Sequence, residues 1–319
     1  MEMQPAKKFK TKKLMIRLLV SFIILLVSVC SFSYFYNMFA TQQSTKKYPP
    51  VGEIVNVGKY NLHYYAVGEK NGLPTIVLES GSGTPSSYSD WRYIQPELAK
   101  LTRVISYDRA GYGWSDDANI SRTSEQIVED LHELLLKSDE TGPFILVGHS
   151  FGGLNVQLFA ERYSSDVRGV VLLDSSIPGV RPDVTSSQLK VTQFLRQSGL
   201  MRVIGEFEGL PVPKAVVSDG ISEEFLYKRF YNKDQISEIE KMGVEDFPEI
   251  SLGDIPVTII SAREEETNNK EWQRQQDQFL QLSTNSKRVI VENSSHYIHH
   301  DQPELVIKEI KNLLIDPKQ

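Results

Sequence analysis

The sequence is almost free of cysteine. Among its 319 residues there is one, Cys30, and it lies in an apolar stretch near the N-terminus. Beyond that stretch the chain has no thiol for a disulfide, a cysteine nucleophile or a cysteine-ligated metal ion. This absence is consistent with an intracellular domain, and equally with an exported bacterial domain that avoids cysteine.

Positive charge is scarce outside the N-terminus. The formal net charge is −6. Residues 1–37 hold six basic residues and one acidic residue, a net of +5, so the rest of the chain carries −11. A domain this acidic is poorly suited to the phosphate backbone, and no nucleic-acid partner is expected. Internal repeats and low-complexity tracts are absent as well.

Charge is missing altogether from Leu18 to Phe35. As a helix, the apolar stretch Leu14–Phe35 would be about 33 Å long, which is enough to cross the hydrocarbon core of a bilayer. The aromatic residues that follow are typical of a membrane interface. The sequence therefore predicts a basic cytoplasmic tail over residues 1–13, a transmembrane signal anchor over 14–36 and a polar linker over 37–50.

Two other interpretations of the N-terminus remain open. A cleaved signal peptide would give a secreted protein, although its apolar core is normally shorter and ends in small residues. A buried helix of the fold suits the basic flank and the polar stretch after it less well. Both membrane interpretations place the rest of the chain outside the cytoplasm, because basic flanks stay inside. We expect a single-pass protein of the cell membrane.

From Val51 onward, short apolar runs alternate with amphipathic stretches. This rhythm predicts an α/β fold with a mostly parallel central sheet and helices on both faces. Residues 178–253 interrupt it, because they contain helix-like pieces and no clear strand. We expect a core over 51–177 and 254–319 and a helical cap insertion over 178–253. The predicted strands are Glu53–Val57, Asn61–Val67, Thr75–Leu78, Arg103–Tyr107, Phe144–Val147, Val167–Leu173, Pro256–Ile260 and Arg288–Val291.

The stretch ILVGHSFGG, Ile145–Gly153, places a serine between a predicted strand and a predicted helix. Gly148 and Gly152 flank Ser150 in the pattern G-x-S-x-G, which is typical of a nucleophile on a sharp strand-to-helix turn. The N–H of Phe151 would then be one oxyanion donor. The simpler alternative is that Ser150 is only a helix N-cap.

These motifs, together with SYDRAGYGWSD at Ser106–Asp116, resemble the α/β-hydrolase superfamily, in its esterase, lipase and aminopeptidase branch with a helical cap. The resemblance covers about Val51–Leu314. It implies that His296, in the loop before the last helix, is the general base, with His299 and His300 as lesser alternatives. It also implies an oxyanion donor at Ser82, since Ser80 stands where the family usually has a histidine. Trp114 is expected to line the acyl pocket.

The acid of the triad is ambiguous. After the strand that follows the insertion, the family pattern places Glu265 in SAREEE, where Ala262 replaces the usual glycine. Glu264 and Glu266 are close enough for a one-residue slip. Asp174, which ends the run VVLLD, is the alternative acid, because it also follows a strand at the carboxyl edge.

The function expected from these residues is a serine hydrolase that cleaves a small or medium carboxylic ester through an acyl-enzyme on Ser150. An amide or peptide substrate on the same triad is the alternative. A non-enzymatic sensor is less favoured, because the nucleophile, base and glycines are all present. The mechanism requires no metal and no organic cofactor. The expected partners are a small-molecule substrate and a membrane.

Overall fold

Eight strands form one sheet in a computed structural model of the protein. The structure describes residues 6–179, 184–210, 212–217, 219–242, 244, 247–263 and 270–315. Each strand lies where the sequence predicts one, with ends that differ by at most two residues. The strands are β1 Glu53–Asn56, β2 Asn61–Val67, β3 Thr75–Glu79, β4 Val104–Asp108, β5 Phe144–His149, β6 Val167–Leu173, β7 Val257–Ala262 and β8 Ser286–Val291.

The strand order is β1-β2-β4-β3-β5-β6-β7-β8. β1 pairs antiparallel with β2 and β2 antiparallel with β4, and all other pairs are parallel. The carboxyl ends of β3, β5, β6, β7 and β8 therefore meet at one edge. Ligands of open α/β sheets bind at that edge.

The helices described are α1 Ala6–Lys47, α2 Ser87–Asp90, α3 Gln95–Leu98, α4 Ser124–Lys137, α5 Phe151–Arg162, α6 Ser186–Gln197, α7 Leu200–Glu208, α8 Gly220–Arg229, α9 Lys233–Met242, α10 Lys270–Gln278, α11 Ile298–Asp301 and α12 Pro303–Ile315. Two short 3-10 turns lie at Ser164–Asp166 and Phe279–Gln281.

The central strands are buried on both faces. Alternate residues of β3 and β5 enter different apolar clusters: Ile76 and Ile145 pack on one side, and Val77 and Leu146 pack on the other. This follows from the two-residue period of a strand. Each fully buried aliphatic side chain contributes about 1.5–3 kcal/mol relative to exposure, so the sheet is a firm platform for the residues at its edge.

In the chain, helices α6–α9 follow β6 and precede β7, within the expected insertion 178–253. They form a layer over the carboxyl edge of the sheet. Two of them begin with reciprocal side-chain caps. Thr185 and Gln188 cap α6, and Asp219 and Ser222 cap α8. We call α6–α9 the cap. Its helices are set by these local signals rather than by long apolar runs.

Helix α1 is longer than the sequence predicts. It runs without interruption for 42 residues. It is the one helix of the described chain that is long and apolar enough to cross a membrane. Every side chain from Lys12 to Val29 is exposed, whereas Ser33 and Ser44 are buried. From Cys30 onward, α1 packs against α7 and α8 of the cap.

The prediction of a linker over residues 37–50 is therefore wrong for residues 37–47, because they belong to α1. These residues are polar because they contact the cap, and the helix does not end there. Asn37, Thr41 and Ser44 recur at helical spacing on the face that meets the cap. The chain leaves the helix only before Pro49 and Pro50, which cannot continue it.

Candidate active site

Ser150 lies in the turn between β5 and α5. Its backbone angles are φ 51° and ψ −122°, a combination that non-glycine residues rarely adopt and that marks a strained position. The turn is held by the bond from the Ser150 N–H to the Leu173 carbonyl, at 3.0 Å. The Ser150 carbonyl accepts bonds from the N–H groups of Gly153 and Ser176.

The glycines around Ser150 are required by close packing. A Cβ at Gly148 would lie 2.6 Å from the Gly152 carbonyl oxygen, and a Cβ at Gly152 would lie 2.4 Å from the Glu79 carbonyl oxygen. Gly153 approaches the hydroxyl of Ser175 in the same way. Any larger side chain would displace the turn, so the pattern G-x-S-x-G reflects steric necessity here.

The loop after β3 lies against the serine. A Cβ at Gly81 would be 3.2 Å from the Ser150 Cβ and 2.9 Å from the His149 Nδ1. Ser82 follows directly and lines the cavity described below. Phe151, as the first residue of α5, has an N–H with no acceptor inside the helix. Ser82 and Phe151, the expected oxyanion donors, are thus brought together beside Ser150.

Arg109 fixes this loop. Its buried guanidinium donates to the carbonyl oxygens of Ser80 at 2.6 Å and Gly81 at 3.1 Å. It also bonds Glu79 and, across the cap interface, both carboxylate oxygens of Glu238 on α9. Burial lowers the pKa of Arg109, but the two carboxylates outweigh this effect and raise it well above its usual value. The cation therefore ties the oxyanion loop to the cap.

The side chain of Ser80 also has a structural role, because it makes hydrogen bonds that hold the loop after β3. Its hydroxyl accepts a bond from the Trp91 indole at 2.9 Å and donates to the Ser87 hydroxyl at 3.0 Å. Where a histidine would usually stand, this smaller residue anchors the loop to the segment around α2.

His296 lies in the loop between β8 and α11, beside the serine turn. Its ring Nδ1 is 2.7 Å from Oδ2 of Asp174. Asp174 is fully buried at the end of β6 and has a positive φ of 41°. Its other oxygen accepts bonds from the Ala262 N–H and the Trp272 indole, each at 3.1 Å. The carboxylate is held from both sides in a position to orient the His296 ring.

Glu265, the acid first expected from the sequence, lies outside the described residues, as do Glu264 and Glu266. The carboxylate that meets His296 in the described chain is the alternative, Asp174. The sheet order explains why this residue is well placed. β6 lies directly beside β5, so Asp174 is one strand from the serine turn, whereas residues after β7 are two strands away.

A second histidine cluster supports the loop that carries His296. Oδ1 of the buried Asp90 lies 2.9 Å from Nε2 of His299 and 3.0 Å from Nε2 of His300. Burial opposes ionisation of Asp90, but the two histidines hold its pKa well below its usual value. His299 is fully buried, and the rings of both lesser alternatives for the base contact Asp90.

His149 completes this support. Its Nε2 lies 3.0 Å from the His296 carbonyl oxygen, and its ring is stacked obliquely between His296 and His299. Burial, reinforced by the charges that His299 and His296 can carry, keeps the pKa of His149 well below its usual value. The ring is neutral near neutral pH. Sequence reasoning missed Asp90, because it lies 209 residues from His299 and no local pattern links the two.

Asp90, His149 and His299 also form a group whose ligand atoms lie within 4.8 Å of one another, the spacing of a possible metal site. One nitrogen of each histidine already has a protein partner, namely the His296 carbonyl or Asp90. Through these hydrogen bonds the three residues support the loop that carries His296.

Trp114 does not line the cavity, contrary to expectation. Its ring packs among His63, Tyr88 and Phe225, and its indole N–H bonds the Tyr48 carbonyl at 3.1 Å. The neighbouring Asp108 accepts from the N–H groups of Ser87 and Trp114 and pairs with His63. This segment is structural, and Trp114 joins the core to the end of α1 and to the cap.

A cavity of about 490 Å³ extends from Ser82 and Tyr297 into the cap. Its volume is within the range of small-molecule sites. The cap side is mainly apolar, and no charged side chain is present among the described residues that line it. The lining residues are Ser82, Gly83, Val184, Gln188, Thr192, Leu195, Met201, Ile204, Leu210, Val212, Pro213, Val216, Phe230, Tyr231 and Tyr297.

Comparison with known families agrees with this architecture. The family model described as the alpha/beta hydrolase family matches residues 76–309. The match begins at β3 and ends within the last helix, so it contains the serine turn, the cap and the His296 loop.

Individual proteins are more distant. The uncharacterized protein YqjL of Bacillus subtilis (strain 168) is 29% identical over 235 residues, which cover 73% of this chain and 80% of that protein. Proline iminopeptidase PfmaB of Pestalotiopsis fici is 25% identical over 290 residues, 82% of this chain and 99% of that protein. The crystal structure of the enol-lactonase from Burkholderia xenovorans LB400 has a TM-score of 0.66 at 22% identity, covering 83% of this chain and all of that one.

Proposed function

Because this chain belongs to the alpha/beta hydrolase family and is a hydrolase, we propose that it cleaves a carboxylic ester through an acyl-enzyme on Ser150. The observation that carries the proposal is the 2.7 Å contact between His296 Nδ1 and Asp174 Oδ2 beside the strained serine turn. A base that a buried carboxylate orients beside a serine hydroxyl is the arrangement that activates a serine.

In the proposed mechanism, Ser150 Oγ attacks the acyl carbon while His296 Nε2 takes the hydroxyl proton. Asp174 holds the Nδ1–H tautomer and stabilises the imidazolium. The N–H groups of Ser82 and Phe151 donate to the oxyanion of the tetrahedral intermediate. His296 then gives its proton to the leaving alcohol, and a water molecule repeats the sequence on the acyl-enzyme.

An ester is favoured over an amide or peptide by the lining of the cavity. A free amino terminus would be recognised by a carboxylate, and the described lining residues include none. The apolar cap wall instead suits an acyl or alkyl group. A peptide substrate on the same triad stays the second candidate, since PfmaB is a proline iminopeptidase by name.

We propose further that α1 holds the enzyme in the cell membrane, with the hydrolase core and cap outside the cytoplasm. The support is the fully exposed apolar segment up to Val29 and the basic residues before Leu14. Recovery of a mature protein that starts beyond Phe39 would instead indicate a cleaved signal and a secreted enzyme.

The proposal is tested by covalent labelling and by substitution of the nucleophile. A fluorophosphonate probe should label the wild type at Ser150 and should not label Ser150→Ala. Turnover of p-nitrophenyl butyrate should fall about 10⁵–10⁶-fold in Ser150→Ala, because triad members act as a unit. Ser176→Ala is the matched control, since Ser176 bonds the turn through its backbone N–H and carbonyl, which alanine keeps. Retention of turnover in Ser150→Ala would exclude the serine mechanism.

A further inference from the structure

Four large apolar side chains are exposed on two adjacent helices of the cap. Val191 and Phe194 on α6 are each 57% exposed, and Ile204 and Phe207 on α7 are 41% and 86% exposed. We call these four residues the α6–α7 face. Clustered apolar exposure of this kind on an otherwise polar domain marks a surface that meets another apolar phase.

Helix α7 is amphipathic with its apolar side turned outward. Leu200, Val203, Ile204 and Phe207 recur at the spacing i, i+3, i+4, i+7 and form one stripe, none of which is buried. The opposite side, with Met201 and Gly205, is buried. A surface helix of a soluble domain turns its apolar stripe inward, so α7 has the polarity of a helix that lies in a membrane interface.

Helix α1 fixes where this face lies relative to a bilayer. Gly199 touches Ser33 so closely that an added Cβ would be 2.2 Å from the Ser33 carbonyl oxygen, and Glu206 accepts a bond from the Tyr36 hydroxyl at 2.7 Å. Arg202, in the first turn of α7, bonds Asn37 and Thr41. α7 therefore stays beside residues 33–41 of α1.

This contact begins inside the outer end of the predicted transmembrane segment 14–36 and continues past it. Ser33 is four residues, or about 6 Å, past Val29, where the fully exposed part of α1 ends. When α1 spans a bilayer, α7 lies at the level of the lipid head groups, and its apolar stripe is at the depth that interfacial helices occupy.

The cavity reaches the same surface. Ile204 belongs to the α6–α7 face and also lines the cavity, together with Leu195 and Met201 from the same two helices. A side chain of the exposed α6–α7 face thus also lines the cavity that extends from Ser82.

We infer that the α6–α7 face rests on the lipid surface and that the enzyme takes its substrate from there, as a long-chain acyl ester dissolved in the bilayer. The chemistry of this substrate rests on the proposed ester hydrolysis, and the contact with lipid rests on the proposed membrane anchor, so the two are tested by separate experiments. The occupant of the face is the bilayer that α1 crosses; a second copy of the chain is the alternative that the first experiment excludes.

The first experiment measures contact with lipid and needs no activity. In the full-length chain carrying Cys30→Ser, the fluorophore NBD is attached to Phe207→Cys or, as a control, to Leu136→Cys, which is exposed on α4 away from the cap. Both proteins are reconstituted in vesicles of phosphatidylethanolamine and phosphatidylglycerol. Doxyl-labelled lipid should quench the label at position 207 about twofold or more strongly than that at 136, and iodide should show the reverse.

Two outcomes would overturn the inference. Equal quenching of both labels by iodide would mean that the α6–α7 face is exposed to water. Protection of the position-207 label from both quenchers would mean that protein covers the face, as in a dimer of this chain.

The second experiment tests delivery of the substrate. Phe194→Ser combined with Phe207→Ser is compared with Leu136→Ser, all in the full-length chain in the same vesicles. We expect the double variant to lose about tenfold in hydrolysis of vesicle-dissolved p-nitrophenyl palmitate and to keep hydrolysis of water-soluble p-nitrophenyl butyrate within about twofold. Leu136→Ser should match the wild type on both.

Unchanged palmitate hydrolysis in the double variant would contradict delivery through this face, and so would an equal loss on both esters. If the wild type hydrolyses neither ester, the proposed function fails, while the quenching measurement still decides whether the face meets lipid.

Discussion

The two walls of the active-site cavity are built from different materials. The core wall consists of the serine turn, the loop that Arg109 holds and the hydrogen-bonded histidines His149, His296 and His299. The cap wall consists mainly of apolar side chains on α6 and α7 and the segments after them, with no charged side chain among the described residues that line the cavity. The core wall therefore has the rigidity that catalysis needs, whereas the cap wall offers shape and hydrophobicity that can only select among substrates.

The walls also differ in how they are stabilised. Residues of the core wall follow strands that are buried on both faces, so their positions depend on the whole sheet. The cap helices depend on local caps, on the Arg109–Glu238 link and on contact with α1. We expect substitutions in the core wall to change turnover and substitutions in the cap wall to change preference.

Among changes that compare the two walls, the largest expected effect comes from Asp174, the proposed acid. Asp174→Asn keeps the size of the side chain but removes its charge, and it can leave His296 in the wrong tautomer. We expect turnover to fall about 10³–10⁴-fold, as in other triads. Steady-state kinetics on p-nitrophenyl butyrate measures this, with circular dichroism to verify folding.

Glu265→Gln is the matched control for Asp174→Asn, because the sequence pattern favours that residue as the acid. We expect it to change turnover by less than about threefold. A severe loss of turnover in Glu265→Gln, together with near-normal turnover in Asp174→Asn, would identify Glu265 as the acid.

A smaller effect is expected from the cap wall. Leu210→Trp fills part of the cavity without touching the catalytic groups. Hydrolysis of long-chain esters should fall about tenfold while that of acetate esters stays within about twofold, since each lost apolar contact weakens binding of the longer chain. kcat/KM is measured for both ester lengths, with Leu73→Trp as an exposed control. An equal loss of kcat/KM for short and long esters would contradict the expectation that the cap wall changes only substrate preference.

The pH dependence of the free energy of unfolding tests the role of His149 in the core wall. Burial, His299 and His296 lower the pKa of His149, so the folded protein binds fewer protons than the unfolded chain below the ordinary histidine pKa of about 6.5. Stability should then fall as pH decreases from about 6.5, by up to about 1.4 kcal/mol per pH unit from this residue.

His149→Gln removes this titration and can still donate to the His296 carbonyl. Its free energy of unfolding, measured with urea at several pH values, should fall less steeply below about pH 6.5 than that of the wild type. Parallel curves for the two proteins would show that His149 is not the group responsible.

The smallest effect concerns the border between the walls. Trp114→Phe keeps most of the ring packing and removes one hydrogen bond to Tyr48. We expect a loss of about 0.5–1.5 kcal/mol in stability and less than about twofold in turnover. A change in preference for ester chain length would instead restore Trp114 to the substrate site.

The sequence allowed the core to be predicted in detail because its signals are local. Each strand is a short apolar run, and Ser150 and its glycines lie within five residues. Arg109 and Asp90 could not be assigned their contacts in this way. Their partners are up to 210 residues away, and only the folded sheet and cap bring them together.

The acid and the end of α1 illustrate two further limits. The family pattern favours Glu265, after the strand that follows the cap, with Asp174 as the alternative. The choice between them depends on distances across the sheet, where β6 adjoins β5. For α1, the change from apolar to polar residues was interpreted as the start of a linker. The same change is compatible with a helix that leaves one environment and enters a protein interface.

The continuity of α1 has a consequence for how this chain can be divided. A membrane anchor is usually a module that can be cut away or exchanged, with a domain that folds independently behind it. Here the boundary falls in the middle of one helix, near Cys30. Arg202 of the cap bonds Asn37 and Thr41, and a Cβ at Gly220 would meet the Tyr48 hydroxyl at 2.4 Å. A fragment that begins after α1 would lose a wall of its own cap, so a soluble form should retain the helix from about Cys30.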